Sequence, residues 1–232
     1  MVSCGIDVEP LGRIFDLYHR GAMPLGLFSE KELMYMNSYI SVAHAFVAKE
    51  AILKSLGAGW FNTKIDAHDI ELGFGKGGVP GYVTFYGEAK LRVNKGGFND
   101  YILDFFYLGN DLLALFILST LRNKSLKKSV VAVDRTYGKI QYLCSRKIFK
   151  AQWPEENHIS SAKILGKLAV NMAVCEVKNE CLPSLESGQV RYNNFGVPVW
   201  VDAPSKCLST TRIDAISITH DHNYACGVAV SE

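Results

Sequence analysis

The chain has 232 residues, nearly half of them apolar, enough for one large domain or two small ones with real buried cores. A formal net charge of +2 is too small to mark a nucleic-acid binder, and the six cysteines contain no CxxC pair, so neither a zinc site nor a disulfide framework is indicated. The opening MVSCGIDVEP has no basic region and no apolar core of signal-peptide length. Together these features imply a cytoplasmic protein with reduced thiols.

In chain order, residues 3–8 (SCGIDV) read as a short strand whose end delivers Asp7 and Glu9 to Pro10. That proline opens a helix over 10–19. Gly21, Pro24 and Gly26 mark a loop, and Ser29 with Glu32 forms a capping box for a helix running from Glu30 into the forties. FVAKEAILKSLG (46–57) reads as the next helix, stopped by Gly57 and Gly59, with Glu50 and Lys54 four apart on one face. Taken alone, that spacing describes an ordinary solvated ion pair. DIEL (69–72) and YVTF (82–85) read as strands around a turn-rich loop. Residues 101–119 are apolar enough to test as a membrane span, but Asp104, Gly109, Asn110 and Asp111 interrupt the run. Two buried strands joined at Gly109 fit better, and no membrane association is expected.

The polar, basic TLRNKSLKK (120–128) is the best linker, dividing the chain into halves over 1–119 and 129–232. Beyond it the signals begin again. VVAVD (130–134) echoes GIDVE (5–9), CSRKIF (144–149) echoes FSEKEL (28–33), and SSAKILGKLAVNMA (160–173) takes the place of the helix around Glu50. NFGVPVW (194–200) echoes GGVPGY (77–82), and DAISI and YACGVAV close the chain. Ser29 and Ser145, Pro80 and Pro198, and Leu108 and His220 stand at a nearly constant offset of roughly 115 residues. What the halves share is shape, since Glu50 faces Leu168 in the repeat and His220 faces Leu108. The expected architecture is α+β, a pseudo-twofold duplication of two similar α+β halves, with one complete active site at the interface between them. Such a chain would be a monomeric pseudo-dimer.

GIDVE, FVAKEAILK (46–54) and SITH (217–220), in this order and separation, resemble the 4′-phosphopantetheinyl transferases. The first half is similar to a holo-acyl-carrier-protein synthase subunit almost end to end, and the second is similar in order but weaker. The resemblance implies transfer of 4′-phosphopantetheine from coenzyme A to a serine of an apo acyl or peptidyl carrier protein, dependent on Mg²⁺ and releasing 3′,5′-ADP. It leaves open whether that carrier serves fatty acid, polyketide or peptide biosynthesis. Two departures stand out. In the longer surfactin-synthetase-type members the histidine half comes first, whereas here it comes second, and Val197 occupies a loop position that often carries lysine.

The resemblance also implies roles for particular residues. Asp7, Glu9 and Glu50 match metal ligands, and Mg²⁺ suits such a set because it takes one or two carboxylates, waters and substrate phosphates. Lys54 matches the active-site lysine and His220 the histidine that contacts the pyrophosphate. Glu50 is the favoured base, acting through water. Gly196, Pro198, Thr219 and His220 are expected near the nucleotide, with Lys163 or Lys167 within reach of the 3′-phosphate. Arg13, Leu17 and Arg20 match the helix face that meets an acidic carrier protein. Competing readings are a catalytically silent homologue that binds carrier protein or coenzyme A, and a metal-dependent phosphoesterase that uses water as acceptor.

Overall fold

The computed structural model describes residues 1–57, 64–75, 77–120, 126–134, 161–178, 188–193, 197–202, 211–221 and 223–231. The chain divides into two compact units, Ser3–Asn123 and Lys124–Glu232.

In the first unit, strand β1 (Val2–Pro10) leads into helix α1 (Leu11–His19), for which Pro10 serves as the N-cap. Helix α2 (Glu30–Leu33) starts on the expected capping box, with the Ser29 hydroxyl accepting from the Glu32 N–H and the Glu32 carboxylate accepting from the Ser29 N–H. It does not continue into the forties. The chain leaves the helix after Leu33, and Ser38 caps a new one, α3 (Tyr39–Ser55), through a reciprocal box with Ser41. Helix α3 therefore begins seven residues before the Phe46 start expected from sequence. Twelve of its 17 residues are buried, so it carries no one-sided apolar stripe from which its length could be read. Gly57, at φ 66°, ends it.

Strands β2 (Ile70–Phe74) and β3 (Pro80–Phe85) form a hairpin. A helix that the sequence did not suggest, α4 (Gly87–Lys95), follows it. Asp69 holds its start, accepting from the Glu88 N–H at 3.1 Å. Strands β4 (Asp100–Leu108) and β5 (Asp111–Ser119) make the long hairpin about Gly109, and every residue of β5 is buried. The sheet order is β1-β5-β4, with α3 packed on β5 through Leu112, Ala114, Phe116 and Leu118.

The second unit repeats this plan. Strand β6 (Lys127–Asp134) begins inside the stretch expected to be linker. Helix α5 (Ser161–Lys178) packs on the sheet β6-β10-β9, in which β9 is Ala215–His220 and β10 is Tyr224–Ser231. Strands β7 (Gly188–Tyr192) and β8 (Pro198–Asp202) form the small hairpin. Thus β6, β10 and β9 stand for β1, β5 and β4. The last rung of β4–β5 pairs Leu108 with Asp111, and the last rung of β9–β10 pairs His220 with Ala225. This register supports the matching of Leu108 with His220. The echo of FSEKEL at 144–149 lies outside the described residues. No helix among the described residues is long and apolar enough to cross a membrane.

Candidate active site

The first unit brings Asp7, Glu50 and Lys54 together from two elements. Strand alternation sets Asp7 near the end of β1, and Glu50 and Lys54 are one turn apart on α3. Gly5 allows the strand to lie this close to the helix. A Cβ at that position would stand 1.9 Å from the Ala51 carbonyl oxygen and 2.6 Å from the Ser55 nitrogen. The Ser3 hydroxyl also donates to the Ser55 carbonyl, tying strand to helix again. The signal for Gly5 was present in the sequence, since glycine inside a strand marks close backbone approach, but its partner could not be read there.

The Lys54 ammonium donates to Asp7 Oδ1 at 2.6 Å and to the Ile6 carbonyl at 3.2 Å. It therefore reaches across to the strand, more than a solvated pair confined to its own helix would require. Asp7 is buried. Glu50 is partly exposed, and its carboxyl is pushed up to about 7 by burial, with the negative charge of Asp7 adding to the effect and Lys54 opposing it.

Glu9 is paired with Arg13, and its charge still adds to the rise at Glu50. Its two oxygens accept from Arg13 Nη1 at 2.7 and 2.6 Å. Among the described residues no three His, Cys, Asp or Glu side chains converge as a ready metal cage. The donor set present, Asp7 and Glu50, fits an ion that draws only two carboxylates from protein and completes its shell with water and phosphate oxygens.

On α1, Ile14 is buried, Leu17 is half-buried, and Arg13 and Arg20 are exposed. In the second unit His220 is exposed at the end of β9, Thr219 is buried, and Pro198 opens β8 half-buried. Gly196 and the Lys163 side chain lie outside the described residues. Lys167 is a correction. It is 2 % exposed, with its ammonium over the Tyr192 ring, so it is not a surface lysine waiting for a phosphate.

No family model matches the chain. Curated relatives do. The holo-acyl-carrier-protein synthase of Clostridium tetani is 38% identical over 102 residues, which are 41% of this chain and 79% of that protein. The synthase of Clostridium kluyveri is 35% identical over 40% of this chain and 71% of its own length. Among solved structures, the holo-ACP synthase of Plasmodium yoelii is 26% identical, covering 50% of this chain and 92% of that chain with a TM-score of 0.41. That of Helicobacter pylori, solved in complex with coenzyme A, is 23% identical, covering 50% and 99% with a TM-score of 0.41. The chain belongs to the holo-acyl-carrier-protein synthase family, within the 4′-phosphopantetheinyl transferases. Within that class it is a two-unit chain in which the two halves share one plan.

Proposed function

We propose that this protein transfers 4′-phosphopantetheine from coenzyme A to a serine of an apo acyl or peptidyl carrier protein. The observation that carries the reading is the convergence of Asp7, Glu50 and Lys54, in a chain whose relatives are holo-acyl-carrier-protein synthases. The serine oxygen forms a bond to the β-phosphorus of coenzyme A, the P–O bond to the α-phosphate breaks, and 3′,5′-ADP leaves with the electron pair. The serine proton passes through water to Glu50. Lys54, already poised beside Asp7, turns its ammonium toward phosphate oxygen, where a fixed cation counts for more than in bulk water. A Mg²⁺ held by Asp7 and Glu50, with Glu9 as a third acid, would neutralise the pyrophosphate. His220 is assigned as a hydrogen-bond donor to the pyrophosphate, with Pro198, Thr219, Gly196 and Lys163 near the nucleotide.

The test is to incubate the protein with apo carrier protein, coenzyme A and Mg²⁺, and to weigh the carrier intact. The expected result is a carrier heavier by one phosphopantetheine. No adduct across fatty-acid, polyketide and peptide carriers overturns the reading, and free phosphopantetheine formed without any carrier points to hydrolysis instead.

The face of α1 is assigned to the carrier protein, where exposed cations suit a partner with an acidic helix. Arg20 gives a cleaner probe than Arg13, because Arg13 also holds Glu9. Arg20→Glu should weaken carrier binding about tenfold and leave coenzyme A binding intact, as measured by calorimetry with each ligand; a charge reversal in a complementary contact costs at least this much. Equal losses for both ligands would remove α1 from the carrier interface.

A further inference from the structure

Behind Glu50, its neighbour Lys49 is fully buried. The Lys49 ammonium donates to the Leu27 carbonyl at 2.7 Å, to Glu32 Oε2 at 3.0 Å and to the Ala67 carbonyl at 3.0 Å, and it lies 5.1 Å from the centre of the Phe28 ring. These three bonds use every donor that an ammonium has. Glu32 is equally buried and equally engaged, since Oε2 also accepts from the Ser29 N–H and Oε1 accepts from the Leu72 N–H at 2.9 Å. One buried ion pair thus ties α3 to α2, to the middle of β2 and to the turns that precede each. Buried pairs of this kind rarely add stability over apolar packing of the same volume. They do fix geometry.

The duplication indicates what that geometry serves. In the second unit Lys167 keeps a buried-lysine position on α5, over an aromatic ring, as Lys49 does on α3. The next residue is Leu168 where the first unit has Glu50, and the echo of FSEKEL has Ile148 where the first has Glu32. Burying the lysine is therefore a property of the fold. In sequence, the Glu32 position is acidic in the half that carries Glu50, and the matching position of the other half is Ile148.

We propose that Glu32, through Lys49, is a positioning residue for the active site. The pair locks the rotation of α3 about its axis. With Lys49 pinned to the α2 side, Glu50, one residue on and about 100° around the helix, is held toward Asp7, and Lys54 with it. The proposal rests on the transferase reading for its kinetic readout and on metal binding for an independent one.

The decisive variants are Glu32→Gln, which keeps the shape and removes the counter-charge, and the double variant Glu32→Leu with Lys49→Met, which replaces the pair by apolar volume. Both are compared with wild type for transfer kinetics and for Mg²⁺ binding by calorimetry. The expected result is a folded protein, by circular dichroism, with kcat lowered at least tenfold, KM for coenzyme A within about threefold of wild type, and weaker Mg²⁺ binding. A folded variant with wild-type kcat and wild-type Mg²⁺ affinity overturns the proposal. Should Glu32→Gln fail to fold, the double variant decides by the same criteria, and failure of both to fold makes the pair structural and overturns it too. A wild-type chain that binds Mg²⁺ but modifies no carrier defeats the transferase reading alone, and Mg²⁺ affinity then judges Glu32.

Discussion

Glu50→Gln should lose on the order of 10²–10⁴-fold in transfer rate and, at pH 8 without Mg²⁺, melt at a higher temperature than wild type. Both effects have one source. Burial and the neighbouring charge of Asp7 push the Glu50 carboxyl up to about 7 from an ordinary value near 4.5. Between those values the folded chain holds a proton that the unfolded chain has released. Stability therefore falls as pH climbs through this window, and the cost is complete above pH 7. Glutamine is neutral throughout and avoids it. A pKa unit corresponds to about 1.4 kcal/mol, and the partial exposure of Glu50 screens some of the shift. A gain of about 1–2 kcal/mol, or roughly 2–8 °C, is then expected at pH 8. Below pH 4.5 the two proteins should melt together. Mg²⁺ should raise the melting temperature of wild type, because a cation favours the ionised carboxylate, and should act less on the variant. For the same reason Mg²⁺ binding by wild type should tighten as pH rises through about 7. Wild-type turnover in the variant, or a melting difference independent of pH, would return Glu50 to the role of a surface ion-pair partner.

The parts of this molecule that were legible in sequence are those whose signals are local. The GN turn between two apolar runs gave the β4–β5 hairpin and Ser29 with Glu32 gave the start of α2, while GIDVE and KEAILK pointed to candidate acids and a lysine only through the resemblance they carry. The length of α3 was hidden because a helix buried nearly all round has no polar face to define its register. Helix α4 was missed although GEAKLRVNK is rich in helix formers and ends at Gly96 and Gly97, because the cap that starts it, Asp69, lies far back in the chain. Contacts of long sequence separation left no signal at all. Nothing in FSEKEL or FVAKEAILK announces that Glu32 and Lys49 would meet inside the first unit, or that Lys54 would favour an aspartate on β1. The candidate site residues were named through a resemblance to a family, since their spacing alone described a solvated pair, and the contacts that hold them were not legible.

Gly5→Ala should be the most disruptive single-methyl change among the described glycines of the first unit. The added carbon would lie 1.9 Å from the Ala51 carbonyl oxygen, 2.6 Å from the Ser55 nitrogen and 3.0 Å from the Ala51 carbonyl carbon. All three are backbone atoms of α3, so no rotamer change can make room. Strand and helix must separate by an ångström or more, beside a buried core shared by β5 and α3. Overpacking of this kind costs about 1–3 kcal/mol and sometimes more, and the rigidity of both partners puts this case at the upper end. A fall in melting temperature of about 6–12 °C follows for a protein of this size. The functional loss should exceed the stability loss. Ile6 and Asp7 are the next residues along β1, and the Lys54 bonds to the Ile6 carbonyl at 3.2 Å and to Asp7 at 2.6 Å span the gap that would open. At a temperature where Gly5→Ala remains folded, transfer should fall at least tenfold and Mg²⁺ should bind more weakly, because the two acids are carried on the elements being forced apart. Pairing β1 to α3 through glycine is then part of the catalytic geometry. A folded Gly5→Ala protein with undiminished transfer would show that the spacing of Asp7 from Glu50 and Lys54 tolerates an ångström, and that the close approach at Gly5 serves packing alone.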